Sequence, residues 1–153
     1  MIAEGLEIPE ASEFSKNVKA LAQSVLDAGP LEWTEKDLQR ARYMITDYCD
    51  DMKTPRSPEE LTATATQLYS ALADFYFRAQ KLWSAKGKSI PRRLENTDPE
   101  YAQKFSASFK KLFERCDPSS VFTLAEETLK PYGGFLFENA RADAPVAWRK
   151  PIS

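Results

Sequence analysis

The fold is decided by residues 57–83, which read SPEELTATATQLYSALADFYFRAQKLW. Ser57 is a good N-cap, Pro58 suits the first helical position, and Glu60 stands where a capping box places a glutamate. An apolar stripe then keeps the i, i+3, i+4, i+7 spacing of a helix for about seven turns. Its members are Leu61, Ala65, Leu68, Leu72, Phe75, Ala79 and Leu82, with Tyr69, Tyr76 and Trp83 beside them. The stretch therefore predicts a long central helix, ended by Gly87.

The same start and stop signals predict four further helices, two before this one and two after it. They begin near Ser12, Thr34, Asp98 and Asp117-Pro118, and the matching stops are Gly29-Pro30, Pro55 and, for the last helix, Pro131. In the first of them the apolar stripe is Phe14, Val18, Leu21 and Val25. Residues 88–96, around Pro91, are predicted to be a basic connection.

Long helices joined by short links favour antiparallel neighbours, because a short loop leaves no room for any other packing. The sequence therefore predicts an all-α fold, an up-and-down bundle of about five helices around a long central one. We expect the bundle to span residues 12–138. Residues 1–11 are expected to be an N-terminal extension, and residues 139–153 a loosely ordered tail.

Composition excludes several classes of function. The 153 residues carry a formal net charge of −2, so there is no overall attraction to DNA or to an anionic membrane. No apolar run approaches the roughly 18 residues needed to cross a bilayer, and a cytoplasmic location is the expectation. The two cysteines are expected to be free thiols. With no histidine, the chain cannot by itself form a histidine-dependent catalytic triad or a histidine-containing zinc site.

Three aspartates form the first candidate site. Asp47 precedes Asp50 and Asp51 by three and four residues, so all three share one helix face, with Arg40 and Tyr43 one to two turns earlier. Such carboxylates converge on a cation or a substrate, or they form a solvated helix end. Both interpretations are open, and we assign no metal site to them.

A basic segment forms the second candidate site. Lys86, Lys88, Arg92 and Arg93 lie within eight residues. Arginine binds phosphate through two parallel hydrogen bonds, and lysine acts as a mobile point charge. The segment is therefore a candidate phosphate-binding site, although a solvated loop that compensates the end of the preceding helix is equally compatible with the pattern.

Five stretches of the chain carry a family resemblance. They are residues 42–51 (RYMITDYCDD), the long third helix, residues 86–94 (KGKSIPRRL), Asp98-Pro99, and residues 131–137 (PYGGFLF). In this order they resemble the C-terminal helical, substrate-binding domain of bacterial nucleotidyltransferase-like proteins. Those proteins belong to the polymerase-β-type superfamily, which includes aminoglycoside nucleotidyltransferases.

The resemblance implies an accessory role rather than a complete enzyme. In that family an N-terminal α/β domain carries a Gly-Ser motif and an Asp-x-Asp pair that hold Mg²⁺ and a nucleoside triphosphate. This sequence contains neither motif. It is then expected to work with a partner catalytic domain, with Asp47, Asp50 and Asp51 near the acceptor and the basic segment near the triphosphate. No cofactor is assigned to the chain itself.

A non-catalytic helical interaction module, which binds another protein or forms a homo-oligomer, is the competing hypothesis. Trp148, Phe135 and Phe137 are the apolar side chains suggested as anchors for such a contact.

Overall fold

The computed structural model describes residues 12–136 together with Gly5. This part of the chain forms six α-helices and no strand, which confirms the all-α prediction. The helices are α1 (Glu13–Ala28), α2 (Glu35–Asp51), α3 (Pro58–Ala79), α4 (Ser89–Thr97), α5 (Pro99–Arg115) and α6 (Ser119–Leu129), and a 3₁₀ turn (Lys130–Tyr132) follows.

Helix α3 is the centre of the bundle, because it packs against α2, α4, α5 and α6. Seven of its side chains are buried, among them Leu68, Leu72 and Phe75. The predicted cap is confirmed, because the Ser57 side chain accepts a hydrogen bond from the Glu60 N–H and Pro58 takes the first helical position. The capping box suggested by Glu60 is not formed, since its carboxylate accepts from the Arg56 N–H instead of the Ser57 N–H.

The predicted end of α3 at Gly87 is wrong. The helix stops at Ala79, and Lys81 takes a left-handed conformation with φ of 62°. The Lys81 N–H donates to the Arg78 carbonyl and the Leu82 N–H to the Phe77 carbonyl, which together make a Schellman motif. Glycine is the usual residue at this position, so a lysine there gives no stop signal in the sequence.

The predicted basic connection over residues 88–96 is also wrong, since Ser89–Thr97 form α4. Pro91 is the third residue of this helix, where the backbone N–H has no partner inside the helix and its loss is tolerated. Ile90 and Leu94, four residues apart, are buried by the packing of α4 on α3 and α5. This helix raises the total from the predicted five to six.

Arg42 joins α2 to the turn after α6. Its Nε donates to the Gly134 carbonyl at 2.9 Å, and its Nη2 to the Gly133 carbonyl at 2.7 Å. Beside it, the Leu136 N–H donates to the Thr46 hydroxyl at 3.1 Å. Gly133 has a φ of 98°, and a Cβ there would lie 3.0 Å from the Arg42 guanidinium, so the turn needs glycine.

Helix α1 lies apart from this core. It has the predicted bounds and a Ser12 cap, but none of its residues is buried and it packs against none of the other five described helices. Within residues 12–136 it is attached at its C-terminal end, where the Trp83 indole N–H donates to the Leu26 carbonyl and Pro30 is buried. Phe14 is 77% exposed and Leu21 is 66% exposed, so the predicted apolar stripe faces solvent.

The predicted extension over residues 1–11, apart from Gly5, and the predicted tail over residues 139–153 lie outside the described residues. So do Phe137 and Trp148, two of the suggested anchors. In the part that is described, no helix has the length and apolar character that crossing a membrane requires.

Candidate functional site

The aspartates of α2 lie on its exposed face. Asp47, Asp50 and Asp51 are all accessible, and Asp50 forms an ion pair with Lys53 at 2.5 Å. Asp50 and Asp51 also line a surface depression together with Arg56. Within the described residues, no three acidic or cysteine side chains are grouped as a metal ion would need. The face is thus accessible to a ligand without being arranged as a metal centre.

The two other residues predicted for this site share the same helix. Arg40 and Tyr43 are both exposed, and no ion pair of Arg40 occurs within residues 12–136. Their neighbour Arg42, by contrast, is buried against the Gly133-Gly134 turn. Arg42 therefore stabilises the contact between α2 and the turn after α6, whereas Arg40, two residues earlier, is accessible to solvent.

The basic segment lies where the chain turns into α4. The Ser89 hydroxyl donates to the Lys86 carbonyl at 2.7 Å and accepts from the Lys86 N–H at 3.2 Å, which closes the turn around Gly87. Gly87 has a φ of 50°, in the left-handed region that glycine adopts readily. This turn presents Lys86 and Lys88 to solvent immediately before the first turn of α4.

The four cations of this segment lack the ion pairs that five lysines elsewhere on the surface form, a property that they share with Arg40. Lys53, Lys81, Lys104, Lys110 and Lys111 each form an ion pair with a carboxylate. Over residues 12–136, no ion pair forms to Lys86, Lys88, Arg92 or Arg93. Arg93 is half-buried and the other three are exposed. The positive charge of the segment is consequently left without a counter-ion from the described chain.

The fold does not bring the aspartates and the basic segment into one contact. Helix α2 packs against α3 and α6, whereas α4 packs against α3 and α5, and α2 and α4 do not touch. Each set therefore presents its own surface.

A cleft that the sequence did not indicate lies where α3, α5 and α6 meet. It has a volume of about 460 Å³ and is lined by the aromatic side chains Tyr76, Tyr101 and Tyr132 and by the polar side chains Asp98, Lys104 and Glu127, among others. The Tyr76 and Tyr101 rings stack with centroids 3.8 Å apart and an interplanar angle of 12°. This volume is within the range of small-molecule sites.

Asp98 organises the cleft because it caps α5. One of its oxygens accepts from the Tyr101 N–H at 3.0 Å, and the other accepts from the Tyr76 hydroxyl at 2.9 Å. These hydrogen bonds, that of the Tyr101 backbone first, lower the pKa of Asp98. Burial is the main cause that raises the pKa of Tyr76 and of Tyr101. At neutral pH the cleft therefore holds an ionised Asp98 beside neutral phenols.

Two residues of this cleft carry sequence signals that indicate something other than a ligand site. Tyr76 lies beside the apolar stripe of α3, and Asp98, which with Pro99 belongs to the family resemblance, marks the start of a helix. Tyr76 and Tyr101 are 25 residues apart in the chain, and they stack because of the way α3 packs against α5. The apolar pattern of a single helix carries no information about that packing.

The chain matches no protein-family model, no curated protein and no solved structure. The described residues form an all-helical domain of six helices, five of which, α2 to α6, pack on one another.

Proposed function

We propose that this chain is an accessory helical domain of a nucleotidyltransferase-like protein, which binds the triphosphate of a nucleotide and is not catalytic alone. The observation that carries the proposal is the basic segment, in which Lys86, Lys88, Arg92 and Arg93 have no carboxylate partner in the described chain. A triphosphate supplies the negative charge that the protein itself does not supply there.

The chemistry of the four side chains fits a polyphosphate. Arg92 and Arg93 carry planar guanidinium groups, each suited to two parallel hydrogen bonds with phosphate oxygens. Lys86 and Lys88 flank a glycine turn and add point charges on flexible side chains. Anchoring on α4, which is packed on α3 and α5, keeps the arginines on a rigid support.

The exposed aspartates of α2 are proposed to face the acceptor. An ionised carboxylate near an acceptor hydroxyl can take its proton during attack on the α-phosphate. Asp47 and Asp51 are the stronger candidates, since Asp50 is already paired with Lys53. Because α2 and α4 do not touch, a partner catalytic domain that supplies Mg²⁺ sites must bridge the two surfaces.

Thermal unfolding with added ATP and Mg²⁺ tests the triphosphate proposal. A ligand that binds the native state at 100 times its Kd adds about 2.7 kcal/mol to the stability. We expect ATP to raise the Tm of the wild type and to lose most of that effect in a Lys86→Gln, Arg92→Gln double variant. Lys110→Gln, which removes an exposed and already paired cation, is the matched control. Equal ATP stabilisation of all three proteins would refute the proposal.

A second candidate function, a protein interaction module, is favoured by α1. Phe14, Leu21 and Val25 form an exposed apolar stripe on a helix with no buried residue. Of the anchors first suggested for such a module, Phe135 packs against the core and is only partly exposed. Light scattering after size exclusion tests self-association: a dimer that becomes a monomer in Leu21→Ser supports this function, and a monomeric wild type that captures no partner opposes it.

A further inference from the structure

The geometry points to a second ligand site in the cleft between α3, α5 and α6, one that binds a planar nitrogen cation such as a guanidinium group. None of the four cations of the basic segment lines this cleft. The inference therefore does not depend on the triphosphate proposal.

The three tyrosine hydroxyls of the cleft all donate their hydrogens to acceptors within the protein. Tyr76 donates its hydrogen to Asp98, and Tyr132 donates to the Ala79 carbonyl at 3.3 Å. Tyr101 and Thr128 share a contact of 2.9 Å, but the Thr128 hydrogen goes to the Leu124 carbonyl, so Tyr101 must be the donor. All three phenols have thus used their hydrogens within the protein, and what they still offer a ligand is acceptor lone pairs.

The lining of the cleft carries an excess of negative charge. The cleft is lined by three carboxylates, Asp98, Glu100 and Glu127, and by one ammonium group, that of Lys104. Three negative charges and one positive charge leave a formal excess of two negative charges. Lys104 is already held by Glu100 at 3.1 Å, whereas Glu127 forms no ion pair within residues 12–136. A ligand that supplies positive charge and N–H donors offsets the excess negative charge of the lining and donates to its free acceptor atoms.

Aromatic rings line the cleft beside these charged groups. The Tyr76 and Tyr101 rings stack face to face, so each ring covers one face of the other, and the Tyr132 ring meets Phe75 at 84°. A guanidinium group is planar, stacks on aromatic rings and carries five N–H donors in its plane, whereas an ammonium group is compact and strongly hydrated. Aromatic rings and acceptor atoms in one lining favour the planar cation.

The test uses butylguanidine as the probe and butylamine as its ammonium counterpart, each titrated into the full chain and followed by NMR. Butylguanidine is expected to shift the amide signals of residues around Tyr101 and Glu127 and to bind more tightly than butylamine. Equal affinity for the two probes, or no shifts at the cleft, would overturn the inference.

Three charge variants sharpen the test. Removing one charge near the ligand at the protein surface is expected to change the affinity about five-fold or more. Glu127→Gln should weaken butylguanidine binding, and Lys104→Gln should strengthen it. Glu126→Gln, an exposed neighbour on the same helix that does not line the cleft, should leave binding unchanged. An equal loss in Glu126→Gln and Glu127→Gln would mean general charge attraction and would overturn the site.

Discussion

Helices α1 and α3 look alike in sequence and differ completely in the fold. Both begin at a serine cap and carry an apolar stripe at helical spacing. Yet α3 buries seven side chains against four other helices, and α1 buries none. Helical periodicity therefore predicts that a segment is a helix, but not that its apolar face packs against the other helices of residues 12–136.

The largest expected effect comes from shortening a core side chain of α3. Leu72 is 0% exposed, and Leu72→Ala is expected to destabilise the fold by about 2–5 kcal/mol through lost burial and the cavity left behind. Urea unfolding followed by circular dichroism measures this as a lower midpoint. A loss below about 1 kcal/mol would mean that α3 is not the central helix of the core.

An intermediate effect is expected where α2 holds the turn after α6. Arg42→Ala removes the donors to the Gly133 and Gly134 carbonyls, and hydrogen bonds to a charged group contribute about 1.5–3 kcal/mol. We expect Arg40→Ala, two residues earlier on the exposed face, to leave the urea midpoint nearly unchanged. Equal midpoints for the two variants would show that the Arg42 contact does not stabilise the turn.

The smallest effect is expected from the same leucine-to-alanine change in α1. Leu21 is 66% exposed, so Leu21→Ala should alter the stability of the monomer by no more than about 0.5 kcal/mol. The difference between its urea midpoint and that of Leu72→Ala measures the contribution of side-chain burial to stability, because both variants replace a leucine by alanine within a helix. If Leu21→Ala costs as much as Leu72→Ala, α1 is covered in solution by a surface outside the described residues.

The sequence predicted most helix boundaries because capping residues act locally. Ser12, Thr34, Ser57 and Asp98 each accept the hydrogen bond that their helix start requires. Prediction failed where tertiary packing or an atypical residue decides the structure. Lys81 takes a conformation usually left to glycine, and the packing of Ile90 and Leu94 makes residues 89–97 a helix despite Pro91.

The candidate sites were predictable to a smaller extent. Local spacing was enough to group Asp47, Asp50 and Asp51 on one exposed face, and Lys86 and Lys88 in one turn. The role of Arg42 was not predictable, since its two acceptors lie more than 90 residues further along the chain. The tyrosine cleft likewise arises from three helices, and no single segment of the sequence contains it.

The most direct test of the proposed function is an NMR titration of the ¹⁵N-labelled chain with ATP and Mg²⁺. We predict that amide shifts concentrate over residues 86–93, at the turn before α4 and its first residues, while the signals of α1 stay unchanged. Shifts spread evenly over the surface, or confined to other helices, would contradict the claim that the unpaired basic segment binds the triphosphate.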